Sequence, residues 1–188
     1  MPSLNELARA LYGAYRLARF DANGMQFFDA SLSGFWKSFF AAVLVAPLYF
    51  FLLLQRFQIG GGGESMARFL AIEAIAYVIA WVLFPLVMVT VSRTLDCQER
   101  YLGYIVAYNW ASVLQNALYL PLAILIQAGA IAPDAGAFAV MVLLTAILMY
   151  TWFVTRTALA IAGPTAAGIV FLDFVIGIVV NGFAESLI

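Results

Sequence analysis

The chain has 188 residues, of which 65% are hydrophobic and only 10% are charged, with a net charge of −1. Soluble globular domains carry about 25% charged residues, so this chain lacks the polar side chains that a water-exposed surface needs. There is no basic excess for nucleic acid. The absence of histidine and the single cysteine remove imidazole chemistry, intrachain disulfides and thiolate metal clusters. We therefore expect an integral membrane protein that contacts the lipid bilayer, binds no nucleic acid or cofactor and is not an enzyme.

The N-terminal region, residues 1–34, is predicted to be cytoplasmic and to contain an amphipathic helix. Ser3 and Glu6 have the spacing of a capping box, and the apolar residues that follow recur at helical spacing. The helix is predicted to end near Asn23-Gly24, because glycine readily adopts the left-handed cap conformation. Two placements are open: the helix lies in the lipid headgroup region, or it packs on the protein's own cytoplasmic loops.

Residues 35–188 are predicted to form one domain of five transmembrane helices, which makes the fold all-α and polytopic. Each apolar segment reaches or approaches the roughly 20 residues that a spanning helix needs. The glycines at 60–63 are interpreted as a flexible linker, because they lack the lysine and the spacing of a phosphate-binding loop. The predicted spans are residues 36–54, 67–91, 103–128, 137–160 and 165–184.

Lysine and arginine residues are divided unevenly between the two ends of the predicted helices. Seven of the nine fall on the side of the N-terminal region, whereas Arg56 and Arg68 fall on the other side. Because basic loops stay in the cytoplasm, this predicts a cytoplasmic N-terminus and an external C-terminus. A bacterial inner (plasma) membrane fits the short loops, and Cys97 is then in the reducing compartment.

The third segment is unusually polar for a helix in lipid. At about 100° and 1.5 Å per residue, its polar side chains share an arc of about 80° and extend about 22 Å along the axis. The opposite face is apolar, so we expect this polar stripe to turn away from lipid. The stripe either packs against neighbouring helices or lines a hydrated path. It consists of Tyr104, Tyr108, Ser112, Gln115 and Tyr119, with Asn109 and Asn116 beside it.

Three charged residues, Glu73, Arg156 and Asp173, lie within or near the predicted spans. An unpaired charge at the bilayer centre costs at least about 2.5–3.5 kcal/mol. Arg156 and Asp173 lie at similar depths on either side of the turn at Gly163-Pro164, so one hypothesis is an ion pair between them. The alternatives are an arginine that reaches the headgroups and a protonated, hydrogen-bonded Asp173. No residue pattern indicates a catalytic or metal site.

A cytoplasmic N-terminal region followed by five spanning helices resembles the Yip1-domain membrane proteins. The local likeness lies in Gly103-Tyr104 and Tyr108 at the start of the third helix, and in Trp152 and Arg156 late in the fourth. The resemblance implies a non-enzymatic scaffold or accessory subunit, with other membrane proteins or further copies of the chain as partners.

One residue departs from the family pattern, and the polar stripe leaves a second function open. Pro121 comes later in the third helix than the proline of the family's motif. The alternative function is a small transporter or channel subunit. Its polar path would follow the stripe of the third helix and use Glu73 or Asp173.

Overall fold

The computed structural model describes residues 1–59 and 65–187, and these contain helices and no strand. Five helical stretches are long and apolar enough to cross a membrane, as expected for a polytopic helical membrane protein. The predicted linker at 60–63 lies outside the described residues. The five stretches are Leu32–Ile59, Met66–Thr94, Gln98–Gln127, Pro133–Leu159 and Gly163–Ser186.

Each predicted span contains one long helix, and short 3₁₀ turns at Ala22–Phe27 and Gln98–Arg100 precede the first and third spans. Pro133 and Pro164 lie in the first turns of their helices, where no N–H donor is needed. The α-helices of the described chain are α1 (Leu4–Ala18), α2 (Leu32–Ser38), α3 (Phe40–Ile59), α4 (Met66–Thr94), α5 (Tyr101–Gln127), α6 (Pro133–Leu159) and α7 (Gly163–Ser186).

The predicted capping box is confirmed at the start of α1. The hydroxyl of Ser3 accepts a hydrogen bond from the Glu6 N–H at 3.2 Å, and the Glu6 carboxylate accepts one from the Ser3 N–H at 2.7 Å. The predicted end of the helix is wrong. The helix ends at Ala18, and Phe20 rather than Gly24 has the left-handed conformation, with φ of 58°.

Gly24 has a different role from the cap that the sequence suggests. It lies in the 3₁₀ turn that Asp21 caps by accepting a hydrogen bond from the Asn23 N–H at 3.0 Å. A Cβ atom on Gly24 would come within 2.7 Å of the carbonyl oxygen of Gly13. The missing side chain therefore lets the segment after α1 fold back directly onto the helix.

The N-terminal helix rests on the spanning helices and not on loops alone. Beyond the turn that follows it, α1 contacts α5 most extensively and also contacts α6. Its buried residues Ala10, Ala14 and Leu17 belong to the same apolar cluster as Trp110 of α5. The hydroxyl of Tyr150 on α6 donates to the carbonyl oxygen of Ala14 at 2.8 Å. These contacts fix α1 against one end of the bundle, which we call the near end.

The central helix of the bundle is α5, which contacts α1, α2, α3 and α6. On the face opposite the polar stripe, Val106 and Trp110 are 2% and 3% exposed and pack in the cluster that includes α1. In this half of the helix, the face opposite the stripe therefore also packs against protein. The sequence does not reveal this, because an apolar side chain packs equally well against lipid or against another helix.

The other end of the bundle, called the far end, contains Ile59, Met66 and the C-terminus of α7. Here the helices fall into two groups, since α3 packs mainly on α5 whereas α4 packs mainly on α7. Direct contact between α4 and either α3 or α5 is much more limited. A crevice consequently separates the two groups.

Candidate functional site

Two residues of the polar stripe hold α5 against α6. The hydroxyl of Tyr104 and Oγ1 of Thr155 lie 3.1 Å apart, and Nε2 of Gln115 donates to Oγ1 of Thr151 at 3.0 Å. Both threonines are buried. Tyr104 and Gln115 therefore both bond to another helix, and Gln115 also lines a polar cavity. The two threonines were not predicted from the sequence, although their spacing of four residues places them on one face of α6.

A third stripe residue joins α5 to α7. The hydroxyl of Tyr108 donates to Oδ1 of Asp173 at 2.8 Å. Arg156 instead lies exposed, with its guanidinium carbon 5.4 Å from the centre of the Trp152 ring. The hypothesised Arg156–Asp173 ion pair is therefore wrong. The distance of each residue from the turn predicts its depth in the membrane. It does not predict which way the side chain points around the helix axis.

Asn109, beside the stripe, binds the short helix α2. Its Nδ2 donates to the Ser38 hydroxyl at 2.9 Å, and both residues are 0% exposed. The Ser38 hydroxyl in turn donates to the Phe35 carbonyl oxygen at 2.7 Å. Oδ1 of Asn109 is buried without a hydrogen-bond partner. This contact holds α2, at the start of the first span, against the central helix α5.

The remaining polar residues of α5 either bond to the backbone of their own helix or are exposed. The Ser112 hydroxyl donates to the Tyr108 carbonyl oxygen at 3.0 Å, and Nδ2 of Asn116 donates to the Ser112 carbonyl oxygen at 2.8 Å. Tyr119 is 41% exposed. These three residues make no hydrogen bond to another helix within the described chain, so they are free to face the crevice.

The crevice consists of two adjoining cavities, of about 280 and 410 Å³. The two share Tyr49, Asn116 and Asn181 as walls, so we treat them as one polar crevice. Polar side chains of α3, α4, α5 and α7 line it from the far end to the middle of the bundle. They are Tyr49, Arg56, Glu73, Tyr77, Tyr108, Ser112, Gln115, Asn116, Tyr119, Gln127, Asn181 and Glu185.

A charged network lies at the far end of the crevice. Glu73 of α4 is 4% exposed, and its Oε2 accepts a hydrogen bond from the Tyr49 hydroxyl at 3.0 Å. Nη1 of Arg56 is 3.8 Å from Oε1 of Glu73, and Nη2 is 3.2 Å from Oε1 of Glu185. One arginine of α3 thus bridges carboxylates on α4 and α7. This explains how an acidic residue is retained inside a span.

Aromatic and apolar side chains close the crevice towards the near end. The Phe84 ring lies 4.7 Å from the Tyr108 ring, centre to centre, and contacts Tyr104 at 6.3 Å. Phe84, Met88 and Ile105 are each no more than 1% exposed. The crevice therefore ends blindly near Tyr108, with Asp173 behind it.

The described residues contain no group of three or more His, Cys, Asp and Glu side chains that could hold a metal ion. Comparison of the chain with protein-family models, with curated proteins and with solved structures finds no match. Five long apolar helices are therefore the observation that identifies the chain as a helical membrane protein. The resemblance to Yip1-domain proteins stays a prediction.

Proposed function

We propose that the chain is a non-catalytic integral membrane protein that serves as a small transporter or channel subunit. The polar crevice is the observation that supports this proposal. Hydroxyl, amide and carboxylate groups follow one another along it over the far half of the bundle. Such groups are costly in hydrocarbon and are typical of a path for water or ions.

The charges along the crevice favour a cation as the substrate. Among the described residues that line the crevice, the two carboxylates of Glu73 and Glu185 outnumber the one guanidinium, that of Arg56. Asp173 adds a further carboxyl group behind Tyr108. The amide groups of Asn116 and Asn181 line the crevice between them, and their oxygens can replace part of a cation's hydration shell. The proposed substrate class is a small inorganic cation.

A complete path needs more than one static copy of the chain. Phe84 and Met88 block the near end, so conduction requires a movement of this plug or a second chain that completes the path. We therefore expect the protein to assemble with itself or with other membrane proteins. Because α4 makes limited direct contact with α3 and α5, we expect such a movement at the boundary between the two groups of helices.

We place the N-terminus in the cytoplasm of a bacterial inner membrane and the open end of the crevice outside. The uneven distribution of lysine and arginine supports this orientation. We also place α1 at the inner headgroup level. Arg9 and Arg19 are exposed on it, while its small residues pack on α5, which suits an amphipathic helix at an interface.

A scaffold of the Yip1-like kind is the second candidate function. The bond between Tyr104 and Thr155 of α6 favours it, because both side chains are buried and Tyr104 is not among the residues that line the crevice. Under this alternative the crevice transports nothing, and the protein presents its outer surface to partner proteins.

Cation flux into proteoliposomes separates the two functions. We expect uptake of Na⁺, K⁺ or protons by the wild-type protein and its loss in Asn181→Leu and Asn116→Leu. Neither side chain bonds to another helix in the described chain, so the melting temperature should change little. Thr145→Val is the control, because that hydroxyl bonds to its own helix on the exposed face of α6. Flux equal to that of empty liposomes for all three cations contradicts the transporter proposal.

A further inference from the structure

An apolar groove of about 450 Å³ lies between α6 and α7 on the outside of the bundle. Its walls are aliphatic and aromatic side chains, among them Met149 and Trp152 of α6 and Ala167 and Phe171 of α7. Met149 and Phe171 are 54% and 68% exposed, so the groove opens towards the surrounding lipid. A groove of this kind suits a hydrocarbon chain.

A guanidinium lies at the near end of this groove. Arg156 is exposed, its guanidinium carbon is 5.4 Å from the centre of the Trp152 ring, and no carboxylate of the described chain forms a salt bridge with it. It lies three residues before the end of α6, which is about 5 Å along the axis. This depth corresponds to the level of lipid headgroups, where arginine binds phosphate well.

The first turn of α7 adds a second group that attracts anions. Nε1 of Trp152 donates to the Gly163 carbonyl oxygen at 2.9 Å, so the start of α7 lies against the same indole ring as Arg156. The residue that precedes the helix, Ala162, provides no side-chain cap for the N–H groups of this turn. Pro164 contributes no N–H, so the uncapped donors of this turn are those of Gly163 and Thr165. Together with the helix dipole they make this end favourable for phosphate.

We propose that this surface is a binding site for one anionic glycerophospholipid. The phosphate lies between Arg156 and the first turn of α7, and one acyl chain occupies the groove. The charge of Arg156 favours an anionic over a zwitterionic headgroup, and the apolar groove favours a lipid over free phosphate. The inference is independent of the transport function, since the groove and the polar crevice have no wall residue in common.

Native mass spectrometry of the protein released from nanodiscs of mixed phosphatidylglycerol and phosphatidylcholine tests the site. The wild-type protein should retain phosphatidylglycerol in preference to phosphatidylcholine. Arg156→Gln should reduce this retention about tenfold, the value of one charge-assisted hydrogen-bonding contact. Ala167→Phe should reduce the retention of both lipids by filling the groove. The controls are Arg93→Gln, an exposed arginine at the end of α4, and Ala71→Phe, an exposed alanine elsewhere on α4.

Each comparison decides one half of the proposal. Equal loss in Arg156→Gln and Arg93→Gln, or no loss in either, overturns the phosphate contact, because the effect would then reflect general surface charge. Unchanged retention in Ala167→Phe overturns the position of the acyl chain. Folding of each variant is checked by its melting temperature in detergent, and Arg156→Lys should recover part of the retention.

Discussion

The hydroxyl of Tyr108 on α5 donates a hydrogen bond of 2.8 Å to Oδ1 of Asp173 on α7. This contact joins the two groups of helices at the point where the polar crevice ends. It also gives the deepest carboxyl group of α7 a donor inside the protein. The partner of Asp173 is therefore Tyr108, 65 residues earlier in the chain, and not Arg156 across the α6–α7 turn.

Tyr108→Phe should lower the free energy of unfolding by about 1–3 kcal/mol, because the half-buried Asp173 then loses its hydrogen-bond donor inside the bundle. Unfolding in mixed detergent micelles, followed by circular dichroism, measures the change. Arg156→Gln is the matched control and should change stability by less than about 0.5 kcal/mol. A larger effect of Arg156→Gln than of Tyr108→Phe contradicts the observed pairing.

The two carboxylates that share Arg56, those of Glu73 and Glu185, should contribute unequally to the free energy of unfolding. Glu73→Ala should destabilise the protein by about 1–3 kcal/mol, because it removes the buried acceptor of the Tyr49 hydroxyl. Glu185→Ala should cost less than about 1 kcal/mol, since that ion pair is exposed. The same unfolding experiment compares them, and equal losses contradict the assignment of Glu73 as the structural partner.

Docking of α1 should depend on Tyr150, whose hydroxyl donates to the Ala14 carbonyl oxygen. Tyr150→Phe should weaken docking by about 1 kcal/mol, which raises the population of the undocked helix about fivefold. Limited proteolysis of the N-terminal region detects this as faster cleavage. Tyr15→Phe is the control, because Tyr15 is 51% exposed; equally fast cleavage of both variants contradicts a role for the Tyr150 bond.

Acid should loosen the contact between α1 and α2. The hydrogen bond from Lys37 Nζ at 2.6 Å, supported by Ser3, lowers the pKa of Glu6 from 4.5 to about 2. A depressed pKa gives stability that is present above pH 4.5 and is lost as the pH falls towards 2. Hydrogen exchange of α1 amides should therefore accelerate over this range. The Glu6→Gln variant should show a weaker pH dependence, and an unchanged profile contradicts the role of Glu6.

The sequence was sufficient to predict the five spans, because apolar length alone distinguishes a membrane helix. It also predicted the capping box of Ser3 and Glu6, since a cap is a local contact. It could not predict the partners of the polar stripe, because Tyr108 and Asp173 are 65 residues apart and meet only after the helices pack. The crevice was equally hidden, as its walls come from four helices. The contact of α1 with α5 and α6 was not predicted, because small residues such as Ala14 give little signal of burial.

Glu73 and Asp173 each accept a hydrogen bond from a tyrosine that is synthesised earlier in the chain. Glu73 accepts from Tyr49, 24 residues earlier, and Asp173 accepts from Tyr108, 65 residues earlier. When a chain inserts into the membrane from its N-terminus, each tyrosine donor is therefore already present when its carboxylate is inserted. Neither carboxylate is exposed to lipid without a donor until a later helix is made. The order of the helices along the chain is thus compatible with stepwise insertion.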